Sequence, residues 1–305
     1  MPTFQVCAIQ HTLELHANSL VADWDGVEFM LGFEPRLDHG ELFLQDLDIE
    51  KNVSPLFEGQ LFTLREDPVI VIDPGHGGQN TGTSSVLNGV PEKEYTLDWA
   101  MRLCRLLTTN GCRVFLTRTN DVDVSLAERV AFAEAHGADL FISLHFNSAA
   151  PNREQAGLET FCLTPAGMPS TLTRDYEDNA ALVFTNNACD AENLEYALLV
   201  QRSLLQSVGM TDRGVRRARF MGVLRGQSCP AVLIEGGYLS NPEEAQHIAD
   251  AAYREKLAEA VAAALTSKVS ASRAHPETAS RETPLGPVNS DIGPSNAPAG
   301  NPQIH

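Results

Sequence analysis

Positive charge is scarce in this 305-residue chain: 22 Lys and Arg stand against 40 Asp and Glu, for a formal net charge of −18. That excludes nucleic acid as a main partner, because phosphate recognition needs clustered cations, and it disfavours an anionic membrane surface. Long apolar runs are missing as well. No stretch approaches 18 apolar residues, so no membrane-spanning helix is expected. The six cysteines, at 7, 104, 112, 162, 189 and 229, show no C-x-x-C spacing, and four of them sit in or beside apolar segments. Those four read as small core residues rather than as disulfides or a metal cluster. The start, Met1 to Cys7, lacks the basic and apolar regions of a secretory signal, which leaves a cytoplasmic protein or a signal missing from this sequence. Beyond Ser267 there is no aromatic residue, and Pro, Ser, Asn and Ala dominate. Residues 267–305 are therefore expected to form a disordered tail, unable to bury enough apolar surface to offset its ordering entropy.

What is present, 43% apolar and 20% charged residues, is the composition of a globular protein with a sizeable core, and the length suits one large domain plus a smaller one. Residues 1–66 alternate apolar and polar positions over short spans, as in Val27-Glu28-Phe29-Met30-Leu31 and Leu61-Phe62-Thr63-Leu64, with turn signals at Asp25-Gly26, His39-Gly40 and Glu58-Gly59. This predicts a small β-rich N-terminal unit. Its middle, His39 to Leu56, resembles the hairpin and helix of copper amine oxidase N-terminal-like modules; a packing appendage of the following domain is the other reading.

From Val69 the pattern changes to apolar strands alternating with helical segments, which predicts an α/β domain over 67–266 with a mostly parallel central sheet flanked by helices. Val69-Ile70-Val71-Ile72 is a buried strand that breaks into Asp73-Pro74-Gly75-His76-Gly77-Gly78. A helix is expected over about 92–108, stopped by Asn110-Gly111, and a strand over 113–118. Ser125-Leu126-Ala127-Glu128 is a capping box opening a helix that ends at His136-Gly137. Leu140 to Leu144 is a strand running into His145-Phe146-Asn147, and 157–163 is another. Residues 164–193 read as irregular and acidic. A helix over about 195–208 closes at Gly209. Pro230 to Ile234 is a strand ending in Glu235-Gly236-Gly237. Asn241-Pro242-Glu243-Glu244 starts a helix with a capping side chain, proline at its first position and acids in its first turn.

Three apolar strands thus end in His76, His145 and Glu235, and Glu92 opens the helix that follows the His76 loop. In open parallel sheets, sites are built at the carboxyl edge of the strands, where these residues can converge. Two imidazoles and a carboxylate suit zinc with a fourth position left for water, and a second carboxylate suits a general base; together they imply hydrolysis of an amide or ester. The alternative is that His76 packs at a turn, His145 pairs with a carbonyl, and both glutamates merely favour helix starts.

Six ordered motifs carry a resemblance: 69–78, 92–97, Leu116-Thr117-Arg118, Ser143 to Asn147, Asp212-Arg213-Gly214-Val215 and Ile234 to Asn241. In that order they resemble the zinc-dependent N-acetylmuramoyl-L-alanine amidases of catalytic domain type 3, over about residues 68–266. The resemblance implies a central sheet of about six strands and one Zn2+ ion held by His76, Glu92 and His145. It also implies zinc-bound water as nucleophile, Glu235 as catalytic base, and cleavage of the amide joining the lactyl group of N-acetylmuramic acid to L-alanine of peptidoglycan stem peptides. Glu92 rather than Glu94 matches the ligand, being the Glu before Lys; Glu94 is expected to face solvent.

Asn147 is a candidate substrate contact, and Arg118 and Arg129 are read as pairing with carboxylates at the core edge rather than with substrate. Residues 164–193, with Asp175, Glu177, Asp178, Asp190 and Glu192, either gate the site or border it as a solvated loop. The family implies peptidoglycan or muropeptides as partner and a periplasmic or extracellular location; no activator is identified by the sequence. A zinc peptidase or deacylase with another amide substrate, or a peptidoglycan-binding regulator without turnover, is the competing reading. The intact Glu235 speaks against the regulator.

Overall fold

The computed structural model describes residues 2–8, 11–58, 64–173 and 177–274. Residues 1–274 form one compact unit; the expected tail lies outside the described residues from 275 onward. Its order of strands and helices follows the alternation of the sequence. Four strands come first: β1 (Thr3–Ala8), β2 (His11–His16), β3 (Val21–Trp24) and β4 (Val27–Met30). A two-stranded hairpin, β5 (Arg36–Asp38) and β6 (Glu41–Phe43), leads into one irregular helical stretch made of α1 (Asp46–Asp48), a wider turn over Ile49–Val53 and α2 (Ser54–Glu58).

Then follow β7 (Val69–Pro74), α3 (Glu92–Thr109), β8 (Arg113–Leu116), α4 (Leu126–His136), β9 (Leu140–Asn147) and β10 (Leu158–Cys162). A short tight helix at Thr185–Cys189 runs into α5 (Asp190–Val208). The chain continues through β11 (Asp212–Arg217), α6 (Gly222–Arg225), β12 (Ala231–Tyr238), α7 (Pro242–Ala249) and α8 (Ala251–Ala274). No helix among the described residues is long and apolar enough to cross a membrane.

The main sheet has ten strands in the order β1-β2-β3-β4-β11-β10-β12-β9-β7-β8. Its last six are the expected α/β sheet, parallel throughout except where β10 runs antiparallel to β12. The four N-terminal strands extend that sheet instead of standing apart. β4 pairs parallel to β11 at Phe29 and Val215, and the Glu28 N–H donates to Asp212 Oδ2 at 2.9 Å. The reason is the alternation itself: Val27 and Phe29 face inward on β4 and join Leu13, Leu15 and Trp24 in the same apolar core as the helices of the domain.

Alternating positions along the central strands face two unequal cores. Ile70, Ile72, Ile142, Leu144, Val232 and Ile234 meet α3, α5 and α8 in the larger one. Val71, Phe141, Phe161 and Leu233 face a smaller cluster with Val223 and Leu224 of α6 and Ala133 of α4. Because α4 and α6 are short, this second face stays open towards the carboxyl ends of β7, β9 and β12. By the same alternation Asp73, Ser143, His145, Asn147, Glu159 and Glu235 all fall on it.

The helix ends obey their sequence signals. Ser125 and Glu128 form the reciprocal capping box, Asn241 caps α7, and Gly137 and Gly209 take left-handed conformations at helix ends. Two helices outrun expectation. α5 begins at Asp190 rather than 195, and α8 continues to Ala274, past the boundary drawn at 266, where Ala, Lys and Arg are good helix formers.

Candidate active site

His76 follows β7 in a left-handed backbone conformation (φ 62°), rare for a residue with a Cβ, and Gly77 and Gly78 continue with φ of 131° and 57°. The turn is held from outside. Gly78 N–H donates to Asp121 (2.7 Å), Gln79 N–H to Asp123 (2.8 Å), and Lys93 Nζ donates to the Gly78 carbonyl (2.8 Å). A Cβ on Gly77 or Gly78 would strike Val122 O and Arg118, or Asp123, so these two glycines make room for the 118–123 loop rather than for a metal. The space around the His76, Glu92 and His145 side chains comes from two other glycines. A Cβ on Gly75 would lie 2.3 Å from the His145 ring, and one on Gly82 would lie 2.5 Å from Glu92 Oε2 and 2.7 Å from His76 Cδ2.

Glu92 sits in the first turn of α3, buried, with its carboxylate between the two imidazoles. Oε2 is 3.1 Å from His76 Nε2 and Oε1 is 3.0 Å from His145 Nδ1. Backbone N–H groups of Thr83 (3.1 Å) and Phe146 (3.0 Å) donate to the same two oxygens. The imidazoles meet edge to face, with centroids 4.8 Å apart. Burial pushes the Glu92 carboxyl up, but hydrogen bonds and attraction from His145 and His76 reverse this and hold it well below the usual carboxylate range. For His76, burial disfavours the charged form, yet its hydrogen bond to Glu92 and the Glu92 charge raise it above the ordinary histidine value. Glu94, two residues on, is exposed, as expected.

The tautomer of His76 can be read from its surroundings. Asn80 Oδ1 accepts from Gly82 N–H at 3.3 Å, so it is the carbonyl oxygen, and it lies 2.9 Å from His76 Nδ1. Nδ1 must therefore carry a proton, and a neutral His76 turns its Nε2 lone pair towards Glu92. A cation is needed between those two acceptors, either a proton or a metal. Donor atoms of His76, Glu92 and His145 all lie within 4.8 Å of one another, and among the described residues this is the one His/Cys/Asp/Glu group so arranged. Two imidazole nitrogens and a carboxylate oxygen fit zinc.

Glu235, 6% exposed, stands abreast of His145 across the β9–β12 pair and abreast of Glu159 across the β10–β12 pair. The register slips just after it, at Gly236-Gly237, where Gly237 has φ 121°. Asn147, expected as a substrate contact, is 4% exposed and gives its amide to Glu159, so its place in this structure is beneath the site. Arg118 and Arg129 are buried and committed. Arg118 donates to the carbonyls of Pro74, Gly75 and Lys93, and Arg129 to Asp73 and to the carbonyls of Pro74 and His76. Both shape the His76 turn, but only Arg129 pairs with a carboxylate as expected, while Arg118 holds carbonyl oxygens instead.

A cavity of about 280 Å3 opens over His76 and His145, bordered by Asn80, Ser125, Leu126 and Val223. Leu126 also borders an open groove of about 1000 Å3 between α4, α6 and Val183-Phe184-Thr185. Of the acids in 164–193, Glu177 is exposed, Asp178 pairs with Arg219 at 2.8 Å, Asp190 is buried beside Asn187, and Asp175 lies outside the described residues. Asn80 and Glu159 went unread in the sequence. Asn80 follows two glycines at a spacing that brings it back on His76, a signal visible only once His76 is taken as a ligand.

The family model described as N-acetylmuramoyl-L-alanine amidase matches residues 70–267. N-acetylmuramoyl-L-alanine amidase AmiA of Escherichia coli (strain K12) is 33% identical over 215 residues, which cover 64% of this chain and 73% of that protein. The crystal structure of N-acetylmuramoyl-L-alanine amidase from Clostridium difficile 630 matches with a TM-score of 0.54 and 29% identity, over 69% of this chain and 98% of that one. N-acetylmuramoyl-L-alanine amidase AmiC2 of Nostoc punctiforme matches with a TM-score of 0.55 and 29% identity, over 67% and 97%.

Proposed function

The chain belongs to the N-acetylmuramoyl-L-alanine amidase family and is a hydrolytic enzyme; on that premise we propose that it cuts the lactyl–L-alanine amide of peptidoglycan with one zinc ion held by His76, Glu92 and His145, and with Glu235 as general base. The observation that carries this is the convergence of two imidazoles on one buried carboxylate, with Glu235 abreast of His145 on the open sheet face. When bound, zinc supplies the electrostatic activation of water and of the amide carbonyl that hydrolysis at neutral pH requires.

The protein's own groups do the rest. Asn80 fixes the His76 ring, and the Thr83 and Phe146 N–H groups fix the Glu92 carboxylate. Glu235 takes the proton of the water that adds to the amide carbon and returns it to the departing alanine nitrogen. Asn147, through Glu159, braces the floor beneath Glu235. The cavity and the adjoining groove leave room for a branched glycopeptide. Such a substrate places the site of action outside the cytoplasmic membrane.

Digestion of muropeptides followed by mass spectrometry tests the reading. Wild type supplied with zinc should release stem peptides that begin with L-alanine. Glu235→Ala should lose at least about a hundredfold in turnover while still binding one zinc. A folded, zinc-loaded wild type that releases no stem peptide would defeat the proposal.

A further inference from the structure

On the open sheet face the strand register forms a row. His145 of β9, Glu235 of β12 and Glu159 of β10 stand abreast, and the next strand out, β11, contributes Arg216, abreast of Phe161 on that same face, and Arg213. Glu159 is 2% exposed. It accepts from the Tyr238 hydroxyl at 2.9 Å and from the Asn147 amide, and two guanidinium groups approach it, Arg213 Nε at 3.8 Å and Arg216 Nε at 3.7 Å. Both distances exceed a hydrogen bond, so Glu159 holds the two cations nearby without consuming their donors.

Arg216 spends its Nε on the Arg213 carbonyl (3.0 Å), and among the described residues its two terminal nitrogens have no hydrogen-bond partner. Arg213 commits one terminal nitrogen to Gln155 (2.9 Å) and lies over the Tyr238 ring at 5.0 Å. Glu28 on β4 attracts Arg216 from beyond ion-pair distance. The side chains of Arg213 and Arg216 are 25% and 21% exposed, open enough to be reached and sheltered enough for a charge-assisted bond to count. Arg118 and Arg129 are spent inside the fold, and Lys93 is tied to Gly78 and Asp121.

We propose that Arg213 and Arg216 form a carboxylate-binding subsite that reads an acidic group on the peptide side of the scissile amide. The inference rests on the amidase reading and extends it to what the enzyme recognises. Two strand spacings, about 10 Å, separate β11 from β12. An extended peptide covers about 7 Å in two residues, and an arginine side chain spans the remainder, so the group read lies one or two residues beyond the alanine nitrogen. A planar guanidinium offering two parallel N–H groups favours a carboxylate over its uncharged amide.

The test uses the full chain loaded with zinc and two soluble muropeptides, one with the free carboxylate of its acidic residue and one with that carboxylate converted to the amide. Wild type should favour the free acid at least about tenfold in kcat/KM, with the difference residing mainly in KM. In Arg216→Gln and in Arg213→Gln that preference should fall towards unity, and Arg216→Lys should restore part of it. Wild type that cleaves both substrates equally well overturns the subsite whatever the variants do. A preference that survives both Gln substitutions overturns it too. Cleavage of neither substrate by wild type would instead remove the amidase reading and the subsite with it.

Discussion

Replacing Gly75 by alanine asks how tightly the backbone is fitted to His145. A Cβ built on Gly75 lies 2.3 Å from one ring carbon of His145 and 2.4 and 2.7 Å from its nitrogens, whereas ordinary contact begins near 3.4 Å, so something must move by about 1 Å. The backbone cannot retreat. Gly75 N–H is bound to the Leu144 carbonyl at 3.0 Å, and the Gly75 carbonyl accepts from Thr96 Oγ1 at 2.8 Å and from Arg118 at 2.9 Å. The imidazole must therefore swing away. Metal sites hold their ligands within about 0.2 Å, and disturbing even the supporting partners costs about 10- to 100-fold in affinity. Gly75→Ala should weaken zinc binding by at least about 100-fold, equivalent to about 2.8 kcal/mol. A competition titration against a chromophoric zinc chelator measures this directly, with circular dichroism and thermal melts to establish that the variant is folded. Gly89→Ala is the control. Its Cβ meets nothing within 4 Å, so its left-handed backbone (φ 73°) should cost stability of about 1 kcal/mol and leave zinc affinity alone. A folded Gly75→Ala protein that binds zinc within threefold of wild type would refute the argument.

Two further outcomes follow from the same geometry. Without zinc, the depressed Glu92 carboxyl contributes stability that is present above its unfolded value near 4.5 and lost as pH falls through the lower folded one. The raised His76 contributes stability present below its unfolded value near 6.5 and lost as pH rises through the folded one. Chelator-treated protein should thus show a falling Tm as pH is taken from about 6 to about 8.5, and zinc, which displaces the His76 proton, should flatten that fall; a melt series with no slope in chelator would count against the pairing. Arg219, fully buried, joins Asp178 to the carbonyls of Pro165 and Met168. Arg219→Met should cost about 3 kcal/mol and open residues 165–184 to limited proteolysis, and an unchanged Tm with an unchanged digestion pattern would contradict it.

Much of the catalytic half could be read from the residues because local signals and tertiary demands coincide there. Val69 to Ile72 is apolar on both sides since both faces of β7 are covered, and Ser125, Gly137, Gly209 and Asn241 end helices by chemistry they carry themselves. His76, Glu92 and His145 were legible as a candidate set from strand ends and a helix start, motif order decided between that set and simple packing, and the structure brings the three together. The alternation of Val27 and Phe29 showed that β4 has a buried face, but not that its edge would meet β11, because edge pairing is made by main-chain groups that every residue owns. Glu159 was passed over for a related reason. Its neighbours Asn147, Tyr238, Arg213 and Arg216 come from three other strands, and nothing in a five-residue strand announces which partners will face it. The acids of 164–193 read as members of a loop that either gates or borders the site. In the fold, Asp178 is claimed by Arg219 some forty residues later, a pairing invisible along the chain.

The seam between β4 and β11 is made twice over, by main-chain pairing at the strand edge and by side chains that enter one shared core. A fitted surface demands co-adapted side chains on both sides, so exchanging one partner spoils it. Here the edges meet at Phe29 and Val215, Asp212 steadies the Glu28 N–H, and Val27, Phe29 and Val215 share one apolar core. In mechanical terms the seam carries load: tension on the first hairpins passes as shear into β11, the strand that bears Arg213 and Arg216, and from there one strand further to Glu159. A tether on the N-terminal strands would pull along the same backbone ladder that lines up the floor of the site.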